Sequence, residues 1–162
     1  MEKVWLKQYQ TGVPAEINNH VWHSLVDMFE QSVKQFPDKP AFRNFSSSLT
    51  YSEIDKYSMD FASYLQNELE LKKGDRVAIM LPNILQYPIA FFGALRAGLI
   101  VVNINPLCKA EELAKQLEST GTTAMIVLAN FADTVQQALS HAPLKRVIIT
   151  EIGDCFVSYK RM

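Results

Sequence analysis

The clearest pattern of polar and apolar positions starts at residue 71. A polar turn around Gly74 leads into the apolar run 76–81, which stops at Pro82-Asn83. An almost wholly apolar segment follows, and after it comes a second apolar run at 99–104. Runs of this length between turn residues predict a strand, a helix over 84–97 and a second strand.

The same rhythm continues towards the C-terminus. Apolar runs at 124–128 and 145–150 alternate with periodic segments at 109–118 and 130–141. Because the runs are continuous rather than alternating, they are typical of parallel strands covered on both faces. The sequence therefore predicts an α/β fold: a parallel sheet of about four strands, flanked by helices and joined by right-handed crossovers.

Helix 84–97 has almost no polar face, and Arg96 is its only charged residue. Such a helix is either buried between the sheet and a further layer, or it faces another domain. If it faces another domain, the chain alone should self-associate, most simply as a two-fold dimer. The residues expected on that exposed apolar surface are Ile89, Phe91, Phe92 and Leu95, with Trp5, Leu6 and Tyr9 near the N-terminus.

The region before residue 71 predicts a helix, a short hairpin and a second helix. Ser24 and Asp27 are spaced like a capping box, and Pro37 ends the first helix. The apolar face of this helix is expected to contain Leu25, Met28, Phe29, Ser32 and Phe36.

The hairpin is predicted from strand 41–45, a turn at the three serines 46–48, and a return strand at 49–51. Thr50 and Glu53 then predict a capping box at the start of the second helix. The core stripe of that helix is expected to be Ile54, Tyr57, Phe61, Leu65 and Leu69.

Three segments are predicted along the chain. Residues 1–20 form an extended arm, residues 21–150 form one α/β subdomain, and residues 151–162 form a tail without a clear pattern. With 162 residues, 48% hydrophobic and 20% charged, the chain is long enough for one globular domain.

Charge and apolar run lengths exclude several classes of protein. The net charge of −1 gives no argument for binding nucleic acid. No apolar run reaches the roughly 18 residues of a transmembrane helix, and the N-terminus lacks the apolar core of a signal peptide.

The cysteines and histidines show no metal-site or redox spacing. We interpret Cys108 and Cys155 as reduced thiols of a cytoplasmic protein. His20 and His23 lie three residues apart with no further ligand to complete a site, so we interpret both as surface histidines.

The run Ser119–Thr123 has the composition of a phosphate-binding loop. It follows a helix and precedes a strand, which places it at the edge of the sheet away from the ligand crevice. Because no Gly-x-x-Lys-Gly sequence follows, we interpret the run as a helix-to-strand turn.

Asn83 and Asn105 are the candidate substrate-proximal residues. Each follows the carboxyl end of a predicted strand, where open α/β sheets bind ligands, and an amide side chain both donates and accepts hydrogen bonds. Each also adjoins a proline, so the alternative is that both residues only form turns.

Several segments resemble bacterial long-chain fatty-acid–CoA ligases, members of the adenylate-forming superfamily. The Leu49-Thr50-Tyr51 step and the Gly-Asp-Arg-Val turn at 74–77 are shared across that superfamily. Residues 83–88, Asn-Ile-Leu-Gln-Tyr-Pro, point to the fatty-acyl subfamily. The other similar segments are 4–6, 13–18, 24–32 and 71–107. The resemblance implies the N-terminal subdomain of the adenylate-forming fold.

The resemblance also implies an activity for the full-length enzyme. Such ligases use Mg-ATP to convert a fatty acid to an acyl-adenylate, and then transfer the acyl group to CoA. The motifs that hold ATP, magnesium and the catalytic lysine normally lie beyond the length of this chain. We therefore expect no catalytic, cofactor-binding or metal-binding residue here and no activity from the chain alone, with the remainder of the ligase as its partner. The family implies a cytoplasmic location, and peripheral association with the inner face of the cytoplasmic membrane stays open as an alternative.

The sequence departs from the family at residues 108–113, where the usual polar cap before the helix is absent. Two alternatives to the ligase-fragment reading stay open at this stage. One is a stand-alone, non-catalytic module that binds acyl chains or a partner, and the other is a remnant without activity.

Overall fold

A four-stranded parallel sheet organises the computed structural model, which describes residues 2–17, 21–140, 142 and 144–156. The helices are α1 Leu25–Gln35, α2 Tyr51–Asn67, α3 Gln86–Arg96, α4 Ala110–Thr120 and α5 Ala132–Leu139. The strands are β1 Pro40–Asn44, β2 Ser47–Thr50, β3 Arg76–Met80, β4 Ile100–Asn103, β5 Ala124–Leu128 and β6 Arg146–Thr150. The predicted α/β fold is confirmed.

The sheet has the order β4-β3-β5-β6, so the first strand in the chain occupies a central position. In register, Val77 of β3 lies opposite Val101 of β4 and Ala124 of β5, and Ala124 lies opposite Arg146 of β6. The connection β3-α3-β4 runs in one direction across the sheet, whereas β4-α4-β5 and β5-α5-β6 run in the other. Right-handed crossovers then place α3 on one face of the sheet and α4 and α5 on the other.

Each face of the sheet has its own apolar core. Val77, Ile79 and Ile126 pack beneath α2 and α3, whereas Ala78, Met80 and Met125 pack beneath α4 and α5. Because alternate residues of each strand point to opposite faces, a sheet covered on both sides needs strands that are apolar throughout. This requirement explains the continuous apolar runs in the sequence.

Helix α3 is buried between the sheet and the layer formed by α1 and α2. Ala90 and Ala94 pack on the sheet, while the Phe92 ring stacks on Phe29 of α1 with centroids 4.0 Å apart. The first of the two alternatives for this helix is therefore confirmed. The residues expected on an exposed apolar surface, Ile89, Phe91, Phe92 and Leu95, are all half-buried, and self-association of the chain stays a prediction.

The starts of α1 and α2 show why those helices begin where they do. The Ser24 hydroxyl accepts the amide N–H of Asp27 at 3.0 Å, and the Asp27 carboxylate accepts the amide N–H of His23 at 3.0 Å. This second bond is the main reason that the pKa of Asp27 lies below its usual value. At α2 the predicted capping box of Thr50 and Glu53 is complete.

Three local predictions before the sheet are wrong. The hairpin turns at Phe45 and Ser46 rather than at three serines, because Ser47 and Ser48 already pair with Asn44 and Arg43. Tyr57 is exposed, and the buried face of α2 is instead formed by Ile54, Ser58, Ala62 and Leu65. Leu25 is also exposed, because it lies in the first turn of α1, whereas Phe29 is buried.

The described N-terminal segment contains one 3-10 turn, Val4–Gln8. Trp5 within the turn is 51% exposed, and Tyr9 directly after it is 45% exposed. A salt bridge of 2.9 Å joins Lys3 to Glu16 across this segment. His20 lies outside the described residues. None of the helices in the described part of the chain is long and apolar enough to cross a bilayer.

Candidate functional site

The carboxyl edge of the sheet brings the loops that contain Asn83 and Asn105 to the same side of the molecule. Strands β3 and β4 are parallel neighbours, and both asparagines are exposed just beyond them. The side chain of Asn44 donates from Nδ2 to the Asn83 carbonyl at 2.9 Å, which fixes the hairpin to this loop. The loop after β3 is therefore braced from a second element.

Asn105 forms a turn with its own side chain. Its Oδ1 accepts the amide N–H of Leu107 at 3.0 Å, and its carbonyl accepts the amide N–H of Cys108 at 3.1 Å. This Asx turn is the geometry that makes asparagine favourable before a helix. A turn-forming role at Asn105 thus has direct geometric support, while contact with a substrate stays a prediction for both asparagines.

Two features of this edge were not predicted from the sequence. The Tyr87 hydroxyl on α3 donates to Oδ1 of Asn103 at the end of β4, over 3.0 Å. In addition, the chain leaves β3 towards β4 but leaves β5 in the opposite direction, towards β6, so the direction of the connections reverses between β3 and β5. Asn83 in the loop after β3 and Asn130 in the loop after β5 are both exposed. A reversal of this kind opens a crevice beyond the carboxyl ends of the strands.

Cys108 lies next to this edge, in surroundings that disfavour its thiolate form. Its side chain is buried, and burial, followed by the nearby charge of Glu112, raises the pKa of the thiol. The thiol therefore stays protonated near neutral pH, whereas the thiolate is the reactive form.

Helix α4 begins at Ala110 without a side-chain cap. Lys109 occupies the cap position and makes no capping hydrogen bond, as predicted from the departure at residues 108–113. The main-chain bond from the Leu113 amide to the Lys109 carbonyl, 2.9 Å, closes the first turn instead.

The run Ser119–Thr123 lies at the opposite, amino edge of the sheet, as predicted. Both the amide and the hydroxyl of Thr123 donate to the carbonyl of Arg76, at 2.9 and 3.1 Å. The Thr120 hydroxyl donates to the Gln116 carbonyl at 2.7 Å, and Gly121 ends α4 in the left-handed conformation with φ of 61°. Because these hydroxyls bond to the chain's own backbone, the run does not fit the phosphates of ATP.

Gly121→Ala is expected to lower the free energy of unfolding by about 1 kcal/mol, since a left-handed φ strains a residue with a Cβ atom. Packing adds little to this cost, because the nearest atom to the new Cβ is Arg76 Nη1 at 4.0 Å. Urea denaturation measures the loss. Gly153→Ala is the control, since its φ is not positive and no atom lies within 4 Å of its Cβ. Equal losses in the two variants would contradict the strain argument.

A recess of about 250 Å³ lies between the sheet and the helical layer of α2 and α3. We call it the β6 cavity, and its apolar walls are Phe61, Ile89, Ala90, Ile126, Ile148 and Ile149. At its rim the buried Gln86 donates from Nε2 to the Glu151 carbonyl at 2.6 Å. Within the described residues, no group of three or more His, Cys, Asp or Glu side chains is arranged to hold a metal ion.

Comparison with known families identifies the chain's family. The model of the family described as "AMP-binding enzyme" matches residues 29–159. The chain belongs to the AMP-binding enzyme family. Within this family, it is 51% identical over 154 residues to the long-chain-fatty-acid–CoA ligase of Escherichia coli O6:H1. That alignment covers 95% of the chain and 28% of the E. coli ligase.

A further relative is similar in sequence, and a solved structure is similar in fold. The long-chain-fatty-acid–CoA ligase of Haemophilus influenzae is 46% identical over 95% of this chain and 27% of its own length. The crystal structure of a long-chain-fatty-acid-CoA ligase from Archaeoglobus fulgidus superimposes with a TM-score of 0.74 and 24% identity, over 88% of this chain and 30% of that chain. This chain therefore spans only about 28% of the length of the curated relatives it matches.

Proposed function

We propose that this chain is the N-terminal portion of a long-chain fatty-acid–CoA ligase. The complete enzyme activates a fatty acid with Mg-ATP as an acyl-adenylate and transfers the acyl group to CoA. One observation supports this proposal most: the 51% identity to the E. coli ligase extends over 95% of the chain, yet covers 28% of that ligase. Identity of this degree over nearly the whole chain favours a part of such a ligase over an unrelated α/β domain.

The chain's own contribution is a scaffold. Catalysis of phosphoryl transfer needs groups that neutralise the charge on the phosphates. The run Ser119–Thr123 has the composition of a phosphate-binding loop. Its Thr120 and Thr123 hydroxyls, however, donate to backbone carbonyls of this chain. ATP, magnesium and CoA would thus be held by the remainder of the ligase, while Asn83 and Asn105 would face the substrate side of the sheet.

The division of the chain is part of the proposal. Residues 1–20 would form the N-terminal arm, 21–150 the α/β subdomain and 151–162 the tail that leads into the rest of the enzyme. The exposed Trp5 and Tyr9 of the arm would provide the apolar surface for a homodimer. The family points to a cytoplasmic enzyme, and peripheral association with the inner face of the cytoplasmic membrane is the alternative to a location free in the cytoplasm.

We expect no acyl-CoA synthesis by the chain alone, because nothing in its described residues fits the phosphates of ATP. The assay supplies oleate, CoA and Mg-ATP and measures release of pyrophosphate, with heat-treated protein as the control. A chimera, in which this chain replaces the matched region of the E. coli ligase, should be active. Pyrophosphate release by the chain alone above the heat-treated control would contradict the expectation.

A stand-alone module that binds acyl chains is the alternative, and the β6 cavity is the observation that favours it. The size of the cavity counts against this alternative, however, because its volume of about 250 Å³ lies below the roughly 300–1,000 Å³ of typical small-molecule pockets. Saturable binding of oleate by the chain, together with an inactive chimera, would favour this alternative over the ligase fragment.

A further inference from the structure

The β6 cavity has an apolar body that the sheet and two helices build together. Ile126 of β5 lies opposite Ile148 of β6, and both pack on the side of the sheet that α2 and α3 cover. Because alternate residues of a strand point to the same face, Thr150 shares that side with Ile148. The helices add Phe61, Ile89 and Ala90 to the lining.

One polar group at the end of this cavity has no hydrogen-bond partner. Gln86, 8% exposed, donates from Nε2 to the carbonyls of Glu151 at 2.6 Å and Ile152 at 3.3 Å. These two carbonyls fix the orientation of the amide, because a reversed amide would set its oxygen against theirs. Oε1 of Gln86 is therefore a buried acceptor, and no group in the described part of the chain donates to it. Since an unpaired buried acceptor is unfavourable, a ligand that supplies a donor gains a bond there.

The neighbouring polar groups at this end offer acceptors as well. The Thr150 hydroxyl donates to Oδ2 of Asp154 at 2.9 Å, so its proton is already engaged. The carboxylate of Asp154 only accepts hydrogen bonds. No lysine, arginine or histidine is among the described residues that line the cavity. A carboxylate ligand would find no donor here, and burying a charge without a partner is costly.

The volume of the cavity limits the length of its ligand. An engineered apolar cavity of about 150 Å³ accepts a benzene molecule. By the same ratio of volume to atoms, a cavity of about 250 Å³ holds roughly ten heavy atoms. A long-chain fatty acid exceeds this size, whereas an alkanol of roughly six to eight carbon atoms fits.

We propose that the β6 cavity binds a small neutral amphiphile with one hydrogen-bond donor, in the class of primary alkanols of roughly six to eight carbon atoms. The hydroxyl of the ligand donates to Oε1 of Gln86, and its alkyl chain lies against Ile126 and Ile148. The acceptors at the polar end select against the carboxylate head of a fatty acid. Every residue of this site belongs to the described part of the chain, so the inference does not depend on the proposed function.

Titration of the 162-residue chain with three probes of similar size tests the proposal. The alcohol n-hexanol carries the donor, methyl pentyl ether has the same heavy-atom count without a donor, and hexanoate carries a carboxylate. NMR chemical shifts at neutral pH follow the binding of each probe residue by residue. We expect saturable binding of n-hexanol that shifts the methyl signals of Ile126 and Ile148. The ether and hexanoate should bind at least about fivefold more weakly.

Ile148→Phe and Ile149→Phe form a matched pair that locates the site. Because successive residues of β6 point to opposite faces, the Ile148 side chain faces the cavity, whereas Ile149 borders it with its backbone. The larger ring at position 148 should fill the recess and weaken n-hexanol binding by about tenfold or more. The same change at position 149 should alter the affinity by less than about twofold. Melting temperatures check that both variants are folded.

Gln86→Met tests the preference for a donor separately from the shape of the cavity. Methionine is also long and unbranched, but its sulfur accepts hydrogen bonds only weakly. The variant should bind n-hexanol and methyl pentyl ether with affinities within about twofold of each other. If Gln86 only supported the structure, both affinities would change together and their ratio would stay as it is in the unaltered chain.

The remaining outcomes would overturn the proposal. Equal affinities of the unaltered chain for all three probes would show an apolar recess without a polar preference, and tighter binding of hexanoate would show a carboxylate site. Binding of n-hexanol that survives Ile148→Phe, or that shifts signals far from the cavity, would place the ligand elsewhere. If Gln86→Met fails to fold, the three probes and the phenylalanine pair still decide.

Discussion

Arg96→Met is expected to lower the free energy of unfolding by about 3 kcal/mol, which is roughly a 10 °C fall in melting temperature. The Arg96 side chain is 8% exposed and joins three helices. From α3 it donates to the Ser58 hydroxyl and the Asp55 carbonyl of α2, each at 2.8 Å, and it contacts the Asp55 carboxylate. It also reaches Glu30 of α1 at 3.4 Å and lies over the Phe29 ring.

The loss has a specific physical origin. Methionine preserves the apolar stem but removes every donor, so the Asp55 carboxylate, 25% exposed, keeps its charge without a cation. An uncompensated charge in a partly buried site costs far more than the pair itself contributes. Adding Asp55→Asn to Arg96→Met should therefore recover part of the loss.

Thermal and urea denaturation measure the melting temperature and the free energy of unfolding of both variants. Arg43→Met is the control, because Arg43 is exposed on β1. A loss below about 1 kcal/mol in Arg96→Met, the size of an exposed salt bridge, would show that this cluster contributes little. The absence of any recovery in the double variant would show that the uncompensated charge of Asp55 is not the cause.

Gly93→Val is expected to lower the free energy of unfolding by about 3 kcal/mol, at the upper end of the usual cost of overpacking. Gly93 lies where α3 crosses α2, and a Cβ atom there would come within 2.8 Å of Phe61 Cδ1 and 3.1 Å of the Ser58 carbonyl. The carbonyl belongs to the backbone of α2, so the two helices would have to move apart.

A double-mutant cycle separates this clash from other effects of the substitution. Gly93→Ala gains about 1 kcal/mol of helix propensity, which offsets part of the clash. In a Phe61→Ala background the nearest obstacle is absent, so Gly93→Ala should be less destabilising than in the natural sequence. A cost that stays the same in both backgrounds would contradict the assigned contact.

The type and order of the elements could be predicted because each depends on local pattern. Continuous apolar runs marked the four parallel strands, and Thr50 with Glu53 marked the start of α2. The errors arose where tertiary packing decides the outcome. Tyr57 continues the apolar period of α2 but is exposed, whereas the smaller Ser58 and Ala62 are buried. The Ser58 backbone lies close to Gly93 of α3, so the position of that helix decides which side of α2 is covered.

The candidate site was predictable only in part. The positions of Asn83 and Asn105 at the carboxyl edge follow from strand direction, which the sequence pattern indicates. The bond between Tyr87 and Asn103 and the brace from Asn44 to Asn83 join different elements, so no local pattern reveals them. The strand order, which places the reversal between β3 and β5, likewise depends on long-range pairing.

The central position of β3 has a consequence for synthesis on the ribosome. Its partner β4 ends at Asn103, but its other partner, β5, begins only at Ala124. At about 5–20 residues per second, the intervening segment takes roughly 1–4 s to emerge. During this interval the nascent chain exposes an unpaired edge of β3, which consists of Val77, Ala78, Ile79 and Met80. A chaperone that binds short apolar strands should therefore cross-link to nascent chains stalled just after β4 and release those stalled after β5.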